Sequence, residues 1–279
     1  MIAQDFKLKV PGEERGIKAR LHLQDDQAKL KQLLIIATGL YSHMDKDSQI
    51  NAAKSYQKAG FSTLQFNFMG HGEQQNKSDG DVKDMTISSS IKDMTTVWKY
   101  VQSTLNIEAN HISISANSYG ALISLLALEK RLITPESMVL VAPYSCDKLK
   151  SWALPLGLMV KLMPQTVIKA LHLPVSPVML KDFFRYHTKG MTKKDLLGST
   201  AVHFFVGSAD TIAPAKNVVK WSKTFNNQPL QNTPFVDDVQ AHHIIYPGVK
   251  HFEIPPQTQR DILSRSIDFI EKTHQLRSR

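Results

Sequence analysis

The chain has 279 residues, enough for one large α/β domain or two small ones, and 42% of them are hydrophobic, which excludes wholesale disorder. One cysteine, Cys146, excludes a disulfide framework within the chain and fits a reducing compartment. The formal net charge of +9 is compatible with an anionic partner, but no Lys/Arg block exceeds two residues, so a generally basic surface is the simpler reading and nucleic-acid binding is disfavoured.

The N-terminus, MIAQDFKLKVPGEERG, lacks an apolar core of signal-peptide type, and no stretch of about 18 apolar residues occurs, so a cytoplasmic location is expected. Residues 5–23 alternate apolar and polar on both sides of Pro11-Gly12, which predicts a β-hairpin at a sheet edge. Leu33 to Ala37 is an apolar run of buried-strand type that ends in Thr38-Gly39-Leu40-Tyr41. Asp47 to Lys58 has helical character and stops at Gly60. Phe61 to Phe68 reads as a strand running into Met69-Gly70-His71-Gly72, and 76–83 as loop. From Thr86, apolar residues at Ile87, Ile91, Met94, Val97, Trp98 and Val101 follow helical spacing, with Ser88 to Ser90 near the start.

His111 to Lys130 combines a β-branched run, HISIS, with a Leu/Ala-rich helix, ALISLLALEK. Between them lies Ala116-Asn117-Ser118-Tyr119-Gly120, a small-x-Ser-x-Gly pentapeptide. Alone it is an ordinary strand-to-helix turn. With the strand before it and the helix after it, it predicts a strained bend that lifts the Ser118 hydroxyl clear of a sheet at a helix N-terminus. Ser137 to Ala142, Ala201 to Val206 and His243 to Tyr246 are three further strands, and an amphipathic helix follows Pro255-Pro256. Strands alternating with helices imply a mostly parallel sheet covered on both faces, with a site at the carboxyl ends of its strands. Between Pro143 and Ala201 the alternation breaks. Proline-divided, Met- and Leu-rich helical patterning, densest from Trp152 to Phe184, reads as an inserted cap over the site. The expected division is a core of residues 1–143 and 200–279 with a cap at 144–199.

A serine hydroxyl needs a base, and the base needs an orienting carboxylate. Asp210 follows the strand AVHFFV and His251 follows the last strand, so three candidate groups sit just after three strands in the order Ser, Asp, His. His71 lies in a tight Gly-His-Gly turn before the serine and is expected to bond loop backbone. His242 and His243 stand at the wrong end of a strand, and Asp237 and Asp238 in a polar loop. Two backbone donors are needed for a developing oxyanion. Tyr119 directly follows Ser118, and Leu40 lies in the turn after LLIIA, with Tyr41 as the substitute donor.

The stretches IIATGLYSHMD, GFSTLQFNFMGHGE, ISANSYGALISLLAL, FFVGSADTIAP and YPGVKHFEI resemble the α/β-hydrolase superfamily over almost the whole chain. Within it the chain is most similar to the serine-aminopeptidase-like and cinnamoyl/feruloyl-esterase-like group, which includes monoacylglycerol lipases. The resemblance implies an α/β-hydrolase fold: an eight-stranded, mostly parallel sheet, helices on both faces and a mainly helical cap. It also implies a catalytic triad of Ser118, Asp210 and His251, an oxyanion hole at Leu40 and Tyr119, and no metal or organic cofactor. Thr38 stands where His is usual, Ala116 where Gly is usual, and Asn67 and Met69 where Asp and Arg are common. A second resemblance, to bacterial acyl-carrier-protein thioesterases of the luminescence type, rests on Ile35 to Asp45 and Met85 to Val101. The expectation is a serine hydrolase acting on a carboxylic ester of a hydrophobic acyl or aryl acid. A fatty acyl thioesterase served by an acidic acyl carrier protein is the alternative, and a non-catalytic binding protein of the same fold is a further one.

Overall fold

A computed structural model of the chain describes residues 2–24, 32–144, 162–163, 165, 175–183, 186, 200–226 and 241–277. Eight strands form one sheet in the order β1-β2-β4-β3-β5-β6-β7-β8. β1 (Ile2–Lys9) and β2 (Gly16–Leu23) are the expected hairpin, with Lys9 opposite Gly16 across the turn. β2 then runs antiparallel to β4 (Ser62–Phe66), pairing Leu21 with Leu64. From β4 onward every pairing is parallel, through β3 (Leu33–Ala37), β5 (Ile112–Asn117), β6 (Ser137–Val141), β7 (Ala201–Gly207) and β8 (Ala241–Tyr246).

The parallel strands are apolar on both faces because helices cover both. Successive side chains on a strand point to opposite faces, so each strand feeds two cores. Leu33, Ile35 and Ala37 of β3 enter the larger cluster and Leu34 and Ile36 the smaller; Val202, Phe204 and Val206 of β7 divide from Phe205 in the same way. The larger cluster takes in α2 (Ile87–Ser103), α3 (Tyr119–Glu129), α4 (Pro177–Phe183) and α5 (Ala215–Asn226). The smaller is closed by α1 (Asp47–Lys58) and α6 (Pro256–Arg277).

Local signals account for the helix ends. α2 is capped by Thr86, where the helical spacing is expected to begin. Thr86 Oγ1 accepts the Ser89 N–H at 2.9 Å and Ser89 Oγ accepts the Thr86 N–H at 2.9 Å, a reciprocal cap. The buried Asp182 of α4 reinforces that end by accepting the Ser88 N–H at 2.8 Å. α3 is apolar all round and is buried from Tyr119 through Leu128. Two features depart from the sequence reading. β8 begins at Ala241, so His242 and His243 lie inside the strand, and α5 between β7 and β8 was not anticipated although Val218 and Trp221 have helical spacing and are buried. Most of the proposed cap segment, with Cys146 and Trp152, and also Asp237 and Asp238, lies outside the described residues. α4 is the described helix of that segment.

Candidate active site

Ser118 occupies the junction of β5 and α3 with φ 50° and ψ −112°, a conformation few residues other than glycine adopt. Neighbouring backbone holds it there. Its N–H donates to Val141 O at 2.8 Å, and its carbonyl accepts the N–H groups of Tyr144 at 3.1 Å and Leu122 at 3.2 Å. The bend requires β3 to pass close by. A Cβ on Gly120 would lie 2.5 Å from Thr38 O and 2.6 Å from Ala37 O, so only glycine fits. The first small position is less demanding, since the Ala116 methyl is accommodated in the core.

Asp210 sits in the turn after β7 and is almost fully buried. Its Oδ1 accepts the N–H groups of Ile212 at 2.9 Å and Ala213 at 2.7 Å, which fixes the carboxylate plane. The turn carrying His251 is tied to the turn carrying Asp210. Ser208 N–H donates to Tyr246 O at 2.9 Å, Gly248 N–H to Ser208 Oγ at 2.9 Å, and Ala209 N–H to Val249 O at 3.2 Å. The two loops touch so closely that a Cβ on Gly207 would lie 2.0 Å from Val249 O.

These loops bring three side chains into one chain of hydrogen bonds. Ser118 Oγ lies 2.7 Å from His251 Nε2, and His251 Nδ1 lies 2.7 Å from Asp210 Oδ2. An ionised carboxylate only accepts, so Nδ1 carries the imidazole proton and Nε2 presents its lone pair to the serine hydroxyl. The Phe252 ring stands edge-on to His251 at 4.8 Å and is 83% exposed.

The turn after β3 faces the serine. A Cβ on Gly39 would lie 3.4 Å from Ser118 Cβ. Ser42 N–H closes the turn on Gly39 O at 3.1 Å, and Tyr41 takes φ 58°. Tyr41 N–H donates to His71 Nε2 at 2.9 Å, while His71 Nδ1 lies 3.0 Å from Met69 O. A carbonyl only accepts, so Nδ1 bears the proton and the neutral ring accepts from Tyr41. Burial favours that neutral form by holding the His71 pKa below its ordinary value. Tyr41 N–H is therefore engaged and cannot also serve as the substitute oxyanion donor. Leu40 N–H has no acceptor among the described residues. Tyr119 N–H stands at the start of α3 beside Ser118, and the Tyr119 hydroxyl donates to Ser90 Oγ at 2.9 Å, which locks that helix end to α2.

Beneath the turn the buried Asp93 of α2 accepts the Met69 N–H at 2.9 Å and pairs with Arg15 at 2.6 Å. Asn67 accepts the Met44 N–H at 2.8 Å and donates to Asn76 O at 2.8 Å. The Gly-His-Gly pattern signalled loop bonding by His71, but its partner, Tyr41, is distant in sequence. Asp93 left no signal, because an Asp within an amphipathic helix reads as solvated. A cavity of about 490 Å³ opens beside Ser118 and His251 and runs between α1 and α6. Its α1 and α6 lining residues carried no signal of a site in the sequence, where Ile262 reads only as an apolar position of the last amphipathic helix. No cluster of three or more His, Cys, Asp or Glu suited to a metal ion occurs among the described residues.

A family model described as Serine aminopeptidase, S33 matches residues 28–224. No curated protein matches the chain. Among solved structures it is similar to a putative hydrolase from Agrobacterium vitis S4, at 17% identity and TM-score 0.69, covering 96% of this chain and 98% of that one. It is likewise similar to Est1E from Butyrivibrio proteoclasticus with ferulic acid bound, at 16% identity and TM-score 0.68 with the same coverage. Mouse alpha/beta hydrolase domain-containing protein 10 gives 15% identity and TM-score 0.71, covering 96% and 99%. At these identities the likeness is one of fold.

Proposed function

Since the chain belongs to the serine aminopeptidase S33 family of α/β hydrolases, we propose that it is a serine hydrolase that cleaves a carboxylic ester of a hydrophobic acid. The observation that carries this reading is the unbroken contact Ser118–His251–Asp210, 2.7 Å at each link. Ser118 Oγ attacks the carbonyl carbon as its proton passes to His251 Nε2. Asp210 holds the imidazole through Nδ1–H and stabilises its charged form. Leu40 and Tyr119 N–H groups receive the negative charge that develops on the carbonyl oxygen. The protonated His251 then gives its proton to the departing alcohol, and water, deprotonated by the same nitrogen, releases the acid from Ser118.

The mechanism uses no metal or organic cofactor. The same steps would cleave a thioester, and the net charge of +9 favours an acidic acyl carrier protein as the donor in that case. Residues 144–199 are proposed as a cap, consistent with α4 packing on the α2 N-terminus through Asp182. No described helix is long and apolar enough to cross a membrane, which suits the cytoplasmic location we assign. The test is hydrolysis of p-nitrophenyl esters by the wild type and Ser118→Ala. Wild-type turnover that falls at least about 10³-fold in the variant is the expected result. Turnover retained by Ser118→Ala would remove Ser118 from the mechanism, and absence of turnover in both would favour the non-catalytic reading.

A further inference from the structure

The cavity beside Ser118 follows from a pattern on α1. Residues four apart on a helix share a face, and here the stripe is Ser48, Ala52, Tyr56: small, small, large. α1 thus leaves a groove at its N-terminal end and closes it one turn below Ala52. The sheet face opposite is also small, at Ser115 of β5, since Ala37 and Ala116 turn their methyl groups to the larger core. Ile36, Val141, Ile262 and Leu263 supply apolar walls. The floor is the buried Tyr56, whose hydroxyl lies 3.1 Å from Ser115 Oγ. The groove begins at Leu40, Ser118 and His251, so a group bonded to the reacting carbonyl enters it directly.

The depth follows from the strand. Ser115 precedes Ser118 by three residues, and a strand rises about 3.3 Å per residue, so the floor lies about 10 Å below the nucleophile. An extended chain advances 3.3–3.6 Å per three bonds, or about 1.2 Å per bond. About eight bonds fit before the chain meets the Tyr56–Ser115 pair. We infer that the cavity between α1 and α6 is the acyl subsite, and that it takes a straight aliphatic acyl chain of about six to eight carbons. The inference rests on Ser118 being the nucleophile. It places the acid moiety on the α1/α6 side of the sheet and leaves the opposite side of the carbonyl to the leaving group.

Two measurements test it. The first is kcat/KM on p-nitrophenyl esters from acetate to palmitate for the wild type, Ala52→Trp, and Lys54→Trp, which places the same side chain on the exposed side of α1. The expected optimum is hexanoate to octanoate for the wild type and Lys54→Trp. In Ala52→Trp the optimum moves to acetate or butyrate, with octanoate reduced about 30-fold or more relative to acetate. If Ala52→Trp does not fold, Ser48→Trp blocks the same stripe one turn earlier. The second is calorimetric titration of octanoate into Ser118→Ala, with and without Ala52→Trp, which reads the cavity without turnover. One site lost on adding Ala52→Trp is expected. Identical chain-length profiles for the two Trp variants, or octanoate binding indifferent to Ala52→Trp, would overturn the acyl subsite. Absence of Ser118-dependent turnover together with Ala52-sensitive octanoate binding would sink the hydrolase reading and leave a fatty-acid site.

Discussion

The His71 ring accepts the Tyr41 backbone N–H at 2.9 Å, across thirty residues of chain. That bond ties the turn after β4 to the turn after β3, and the second turn carries Leu40. His71 touches no reacting atom; it is a positioning residue for the proposed oxyanion donor. Replacing it with Phe should lower kcat by roughly 10²-fold, within the range for a lost oxyanion donor, with KM nearly unchanged. His71→Gln, which restores an acceptor, should recover part of the loss. A change confined to KM, or an equal loss in both variants, would assign His71 a packing role alone. Because burial depresses its pKa, the bond is intact at neutral pH and fails only as pH falls through that lowered value.

Asp210→Asn should retain the fold, since an amide oxygen can still accept from Ile212 and Ala213. The amide NH2 would then face His251 Nδ1 and favour the wrong tautomer, with the proton on Nε2. The expected loss in kcat is about 10⁴-fold at neutral pH, measured on whichever ester the wild type turns over fastest. A loss below about tenfold would show that the carboxylate does not orient the base.

Gly207→Ala tests the lacing of the Asp210 and His251 turns. The added methyl would meet Val249 O at 2.0 Å, and a backbone carbonyl in a bonded turn cannot withdraw cheaply. The His251 turn must shift, and a displacement of about 1 Å costs roughly 10²-fold in rate. Circular dichroism should show folded protein with a lower Tm. Wild-type kcat in this variant would contradict the contact.

The inner ring of His203 has neither nitrogen hydrogen-bonded and stacks on Phe205 at 4.4 Å. Burial, with His242, Arg265 and His243 nearby, pushes its pKa down to about 4. A folded-state pKa below the unfolded value of about 6.5 means that the unfolded chain takes up the proton first. The stabilisation is fully present above pH 6.5 and is lost as pH falls toward 4, on the order of 3 kcal/mol. His203→Phe keeps the stack without the titration, so its Tm should fall several degrees less than the wild type's between pH 7 and pH 4.5. Parallel curves would rule His203 out as a source of acid sensitivity.

Every strand and most helices were legible along the chain because their causes are local. Two-residue alternation gave the hairpin, short β-branched runs gave the buried strands, and 3.6-residue spacing gave α2 and α6. The bend at Ser118 was legible for the same reason, being a strand meeting a helix through small residues. α5 escaped because its apolar face is narrow, with Val218 and Trp221 set among lysines and polar residues. The proposed cap shows in the sequence only as a break in alternation.

Contacts between distant segments were not local and could not be read. Position after a strand nominated Ser118, Asp210 and His251, since parallel strands bring their carboxyl ends to one edge whatever lies between them. The 2.7 Å links are another matter. They require the strand order to place β5, β7 and β8 in sequence and the Gly207–Val249 contact to bring two loops together. The His71–Tyr41 bond depends on β3 and β4 being neighbours, and the groove at Ala52 on α1 lying against β3 and β5 rather than solvent. The nature of each element was decided by neighbours within a few residues. Which side chains meet, and what space they leave between them, was decided by pairings that only the folded chain makes.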